Sequence, residues 1–357
     1  MTVRPIRLKP DNFTPPSRTP WGGLRLLDRY KAALALGGGL SDRRVGESWE
    51  FSVSDEFPSV TEDGEALRDW LAIDPEAALG DEARRGDGLT ALLVKWLDAG
   101  DHLSLQIHPE DDYAALAPRE SGKLEAWYVV ERDPGAGLFM GFRPGVCERD
   151  VRSALEGGND LSALMAFVPV ERGDFVLLEP GTPHAVGRGI TLIEPQVVVP
   201  GRRGLTYRYW DWNRRYGAAG VLDPNGRPRE LHVEHALAVT RWDRACDPDW
   251  LASRILRTGG SDLRASARSE PLCGPQPDDP LHSPPMRAAR LSGTGRVRLP
   301  AWNALRALTV IEGRVALDLG SAKLSVPAGT TAVVPAVCLD LAIELDAALA
   351  LVSAAVG

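Results

Sequence analysis

The segment Leu103-Ser104-Leu105-Gln106-Ile107-His108 constrains the fold of this chain more than any other stretch. It alternates strictly, with Leu103, Leu105 and Ile107 on one face and Ser104, Gln106 and His108 on the other. Alternate side chains of a β-strand point to opposite faces, so the pattern predicts a strand with one packed face and one polar face. An amide beside an imidazole fills a core badly. It is well suited to line the inside of a β-barrel that holds a metal.

The rest of the chain supports a mainly β protein. Residues 46–53, 92–97, 102–108, 125–130, 174–178, 191–199 and 205–210 read as strands separated by Pro- and Gly-bearing turns. Helical spacing appears at 65–79, where Leu67, Trp70, Leu71 and Ala78 share a side, at 150–167, and briefly at 234–239. Residues 111–117 form a short helix or turn. The first segment, to about Leu40, is rich in Pro, Gly and Arg and is expected to wrap the domain.

Residues 259–285 are polar and carry six prolines, so they read as a linker or an exposed excursion. Beyond them, 305–311, 313–319, 322–326 and 330–334 give a second set of short strands, with hairpin and turn chemistry at 311–315 and 326–330. Residues 342–356 read as a terminal strand or helix. The last histidine is His282, so this second unit reads as a barrel without a metal. These readings divide the chain into an N-terminal metal-binding barrel with helical insertions (1–240), a Pro-rich connection (241–290) and a C-terminal metal-free β unit (291–357).

Composition narrows the partners. The 357 residues are 44% hydrophobic and 25% charged, enough for a large core. A net charge of -8 argues against a nucleic-acid partner bound through bulk charge. Cys147, Cys246, Cys273 and Cys338 are scattered, as reduced thiols of a cytoplasmic protein would be. No charged-then-apolar leader and no apolar run of bilayer length is present, so no membrane association is expected.

Two further segments complete a ligand set. Lys123-Leu124-Glu125-Ala126-Trp127 puts a carboxylate on a strand, and Glu179-Pro180-Gly181-Thr182-Pro183-His184 puts a histidine just after a tight turn. Gln106, His108, Glu125 and His184 together offer two nitrogens and two oxygens, suited to Zn2+, with Mn2+, Co2+ or Fe2+ as alternatives. Each histidine taken alone is more often a hydrogen-bonded core or turn residue. The combination of alternation and turn context favours a metal.

Lys123 shares a face with Glu125, and Lys95 interrupts an apolar strand, so both are expected to point at something polar. Glu194 shares a face with Leu192 and Gln196. It is the candidate general base, the alternative being a buried partner for a nearby arginine. Arg202, Arg203, Arg208, Arg214 and Arg215 form a local basic patch. Arg208 alternates with Tyr207 and Tyr209 and is expected to face the metal cavity. Arg202, Arg203 and Arg215 read as a solvated loop. Guanidinium groups suit a phosphate dianion through forked hydrogen bonds.

With these residues in place the chain resembles the class I phosphomannose isomerases, the shorter bacterial form, within the cupin superfamily. The resemblance rests on Trp21-Gly22-Gly23, Gly46-Glu47-Ser48-Trp49, Leu93-Val94-Lys95-Trp96-Leu97-Asp98, Ser104-Leu105-Gln106-Ile107-His108-Pro109, Gly122-Lys123-Leu124-Glu125-Ala126-Trp127-Tyr128, Gly181-Thr182-Pro183-His184-Ala185 and Thr206-Tyr207-Arg208. They occur in family order over most of residues 20 to 215. The resemblance implies cupin jelly-roll barrels and a zinc ion on Gln106, His108, Glu125 and His184. It also implies interconversion of mannose 6-phosphate and fructose 6-phosphate, a catalytic Arg208, and Glu194 and Lys123 in the pocket. After Glu194 this sequence departs from the family, with a longer and more basic run from Pro195 to Leu205.

The mechanism expected is metal-assisted proton transfer through an enediol, with Glu194 as base and Lys123 or a metal-bound water as the runner-up. Arg208 would stabilise the enediolate or hold the intermediate. Lys95, Lys123, Arg208 and Arg214 are the candidates for binding the substrate and its phosphate. An isomerase of another sugar or sugar phosphate, or a non-catalytic sugar-phosphate-binding cupin, are the alternative readings.

Overall fold

The computed structural model describes residues 3–34, 43–85, 87–217, 220–320 and 322–357. The wrapping segment expected to reach Leu40 therefore lies partly outside the described residues.

Two antiparallel sheets build the N-terminal barrel. The first runs in the order Ile255–Leu256, Phe175–Leu178, Leu124–Arg132, Ile190–Val197, Leu92–Ala99, Glu47–Phe51. The second runs Tyr207–Trp210, Leu105–Ile107, His184–Val186, Gly137–Phe142, Met165–Pro169. Side chains of both, among them Leu97, Trp127, Val176 and Leu192 from the first and Leu138, Met140 and Val186 from the second, share one apolar core. The sheets thus face one another.

The opposite face of the first sheet is covered too. Val94, Trp96, Tyr128 and Ile193 pack with Met286, Ala307, Leu349 and Leu351 of a third sheet. This explains why Leu92–Ala99 reads as a nearly continuous apolar run, with every residue buried. A strand covered on both faces loses the alternation that marks a half-exposed one.

The third sheet is built from long strands, Met286–Arg298, Arg306–Asp318 and Ala342–Ala355, which curl around a core of their own. Four details differ from the sequence expectations. Arg306–Asp318 is one strand, not a hairpin, because Gly313 takes φ 68° in an irregular stretch of the pairing instead of turning the chain. A Cβ there would lie 2.2 Å from the Ala347 carbonyl oxygen.

The Pro-rich 259–285 stretch is not merely a linker. It contains the strand Arg268–Cys273, paired along Met286–Arg298, with Pro271 tolerated at the sheet edge. The predicted helix at 65–79 splits into Leu67–Leu71 and Pro75–Leu79. Asp74 caps the second through Ala77 N–H, and a residue preceding proline disfavours helical geometry. The predicted helix at 150–167 ends with Glu156 at the Gly157-Gly158 pair, and Met165–Pro169 joins the second sheet as its edge strand.

The N-terminus crosses to the third sheet, where Ile6 and Arg7 pair with Val333 and Ala332. A buried ion pair fixes this crossing. The Lys31 ammonium donates to Glu50 Oε1 (2.7 Å), the Pro10 carbonyl (2.7 Å) and the Gly329 carbonyl (2.9 Å). Glu50 also accepts from Ser48 and Thr331 hydroxyls. Both charges are satisfied on all sides, as burial requires. Removing one partner of such a pair typically costs about 3–5 kcal/mol.

Candidate metal centre and cavity

Register places the site. His184 lies opposite Gln106, and Gln106 lies opposite Arg208, so these three cross the second sheet in a row. On the facing sheet Trp49 lies opposite Lys95 and Lys95 opposite Glu194. Gln196 is paired with Glu125 in the next row. The two-residue period of a strand turns each row into the barrel.

Glu125 is the centre of the cluster. Its Oε1 lies 3.1 Å from His108 Nε2, and its Oε2 lies 3.6 Å from His184 Nε2. One donor atom from each of His108, Glu125 and His184 falls within 4.8 Å of the others, and all three residues are buried. Backbone carbonyls orient both rings. His108 Nδ1 bonds the Leu205 oxygen (2.9 Å), and His184 Nδ1 bonds the Thr182 oxygen (2.8 Å). With Nδ1 donating, each ring turns an unprotonated Nε2 toward Glu125, the arrangement found in metal-ligating histidines. The Nε2 atoms of both histidines and Glu125 Oε2 are buried without a hydrogen-bond partner. Orphaned buried acceptors are costly, and a divalent cation would satisfy all three at once.

The charge states fit the same role. Burial lowers the pKa of His108. Burial, then the neighbouring His108, lowers that of His184 to about 3, so both are neutral ligands. Burial opposes the charge of Glu125, yet its surroundings, with the Lys123 ammonium 2.8 Å away, hold the carboxyl well below the usual range. In this arrangement Lys123 Nζ takes Glu125 Oε1 at 2.8 Å and donates to Thr206 Oγ1 at 3.2 Å.

Beside the cluster opens a cavity of about 970 Å³, lined among others by Lys95, Gln106, Lys123, Glu125, Glu194 and Arg208. Glu194 is clamped within it. Its Oε1 accepts from Trp127 Nε1 (2.9 Å), and its Oε2 accepts from Gln196 Nε2 (2.7 Å), with Lys95 Nζ at 3.6 Å. Gln196 Nε2 also donates to Glu125 Oε1 (2.6 Å), so one amide bridges the two carboxylates. Burial, then the Glu125 charge, pushes Glu194 up to about 8. Burial opposes the charge of Lys95, but Glu47 and Glu194 outweigh it, and the Lys95 pKa rises.

Of the residues singled out in the sequence, the structure brings Gln106, His108, Glu125, His184, Lys95, Lys123, Glu194 and Arg208 together. It does not bring Arg214. That guanidinium is held by Asp211 (2.5 Å) and Asp101 (3.0 Å), away from the cavity lining, and so does not serve as a free anion binder. Arg202 and Arg203 stand at the cavity, Arg203 paired with Glu120 at 2.8 Å. The 195–205 run therefore borders the pocket. Sequence reasoning missed the clamp of Trp127 and Gln196 on Glu194. The shared strand parity of Glu194 and Gln196 is the signal for the second of these.

Two facing antiparallel sheets with a His-Glu-His cluster and a polar cavity define a cupin-type β-barrel protein able to hold a divalent metal. Known proteins sharpen this class. The chain is 32% identical over 243 residues to the mannose-6-phosphate isomerase of Streptococcus mutans, covering 67% of this chain and 70% of that protein. It is 30% identical over 246 residues to mannose-6-phosphate isomerase ManA of Bacillus subtilis, covering 67% and 69%. The chain belongs to the mannose-6-phosphate isomerase family. The crystal structure of the Bacillus subtilis mannose 6-phosphate isomerase superposes with a TM-score of 0.75 at 24% identity, over 98% of this chain and 99% of that one. The Salmonella typhimurium enzyme, bound to substrate and to a zinc atom, shares the fold with a TM-score of 0.66 at 14% identity, over all of both chains. No family model matches the chain.

Proposed function

We propose that the protein is a zinc-dependent isomerase that interconverts mannose 6-phosphate and fructose 6-phosphate. The observation that carries this reading is the set of unpartnered buried ligand atoms on His108, Glu125 and His184, set beside a cavity holding Glu194 and Arg208. Membership of the family supplies the substrate.

His108, Glu125 and His184 would hold the ion, with Gln106, opposite His184 in register, as the fourth ligand. Bound there, zinc supplies Lewis-acid polarisation of the sugar carbonyl. Glu194 removes the proton from C2 of the open-chain aldose. The C2–H electron pair becomes the C1–C2 double bond, and the former carbonyl oxygen at C1 takes up negative charge. The O2 proton passes to that oxygen as the C2 carbonyl forms, and Glu194 returns its proton to C1. Trp127 and Gln196 keep the carboxyl in one orientation throughout. Lys123 is the second candidate for this proton transfer. Arg208, with Nη1 on the Glu230 carbonyl and a buried Nε left without a partner, would hold the intermediate in place. The four free thiols suit a reducing compartment, and the cytoplasm is the site proposed. Among the described residues no helix is long and apolar enough to cross a membrane.

Arg208→Ala is expected to cut turnover about 100-fold, as misplacing the reacting atoms does, with zinc content retained. Parallel loss of zinc and turnover would remove its catalytic role. The reading itself is tested by sugar-dependent proton exchange. Zinc-loaded protein with mannose 6-phosphate in deuterated water should give fructose 6-phosphate and label the C2 position of the recovered aldose. A folded, zinc-loaded protein that binds the sugar phosphate and produces neither would be a binding protein only.

A further inference from the structure

We infer that Arg229 forms, with Arg208, the subsite that holds the phosphoryl group of the substrate. The inference rests on the sugar-phosphate reading above, and it assigns a residue that no sequence motif marked. Both side chains line the cavity. Both carry N–H groups that are buried and without a hydrogen-bond partner, Nε on Arg208 and Nη1 on Arg229. Buried guanidinium N–H groups are seldom left idle, and two such groups side by side repel each other unless an anion lies between them. The repulsion is felt. After burial, the charge of Arg229 is the next cause that lowers Arg208, to about 10.

Neither idle N–H has a carboxylate at hydrogen-bond distance. Asp211 is the nearest to Arg229, at 3.9 Å, beyond a hydrogen bond, and it is already engaged by Arg214 at 2.5 Å. Asp101 pairs with Arg214 at 3.0 Å, and the Glu230 side chain is 84% exposed. Arg214 takes the close contacts of Asp211 and Asp101, and the idle N–H groups of Arg208 and Arg229 belong to residues that line the cavity. A tetrahedral dianion with several acceptor oxygens matches two forked donors better than any neutral hydroxyl does. Arg208 also lies opposite Gln106 in register, so the subsite adjoins the metal centre, as one six-carbon substrate spanning both would need.

The test is calorimetric titration of zinc-loaded wild type, Arg229→Gln and Arg229→Lys with inorganic phosphate and with fructose 6-phosphate. Zinc content and melting temperature check that each variant is folded. Arg229→Gln should weaken both ligands by a similar factor, about 10- to 100-fold, matching about 1.5–3 kcal/mol for a hydrogen bond to a charged group. Arg229→Lys should recover part of the loss, because it keeps the charge and loses the fork. In a folded variant, unchanged phosphate affinity, or weakening of fructose 6-phosphate alone, would overturn the subsite. Loss of phosphate binding in Arg229→Gln, combined with a wild type inactive on mannose 6-phosphate, would keep the subsite and overturn the isomerase reading. Unchanged binding in the variant beside an active wild type would do the reverse.

Discussion

Glu194→Gln is expected to lower turnover of mannose 6-phosphate by about 100- to 10,000-fold, the range a positioned general base contributes, with zinc content unchanged. The substitution is nearly isosteric, and Glu194 is not among the metal-cluster residues. It does disturb the clamp. Trp127 and Gln196 each donate to one carboxylate oxygen, and the amide offers only one acceptor in their place. One donor is left unpaired, a cost of about 1–3 kcal/mol, so the melting temperature should fall modestly while the fold persists. Comparing kcat with zinc content separates this from a metal defect. If Glu194→Gln keeps most of the activity, the proton transfer belongs to another group, with Lys123 first in line.

His184→Ala is expected to remove the ion and the activity together. His184 is 1% exposed and presents an Nε2 with no other partner. Its loss leaves His108, Glu125 and the proposed ligand Gln106, a set with one imidazole in place of two. The measured quantities are zinc per chain after dialysis and turnover after zinc is added back. Affinity should drop well beyond the roughly 10- to 100-fold that loss of an outer partner of a ligand causes. A His184→Ala protein that retains zinc at wild-type affinity would place the metal elsewhere.

The cluster was legible in the sequence because strands have a period of two and its residues sit on strands or at their ends. Gln106 and His108 lie two apart, as do Lys123 and Glu125, and each pair shares a face. Glu194 and Lys95 were legible for a second reason, a charge inside an apolar run. What could not be read depends on tertiary placement. Arg214 and Arg208 look alike in sequence. Only the fold gives Arg214 two carboxylates and leaves Arg208 Nε and Arg229 Nη1 without partners. The buried Lys31–Glu50 pair joins segments far apart in the chain to the third sheet, and no local pattern announces it. Arg268–Cys273 was hidden by prolines that a sheet edge accepts. Gly313 read as a turn because positive φ serves a bulge as well as a hairpin.

The most direct test of the account is a coupled assay of purified, metal-quantified protein with mannose 6-phosphate, following fructose 6-phosphate. Turnover is expected, abolished by a chelator and restored by zinc. A folded, zinc-loaded protein with no turnover would contradict it, and the basic 195–205 run bordering the cavity would then be the first place to look for a changed substrate.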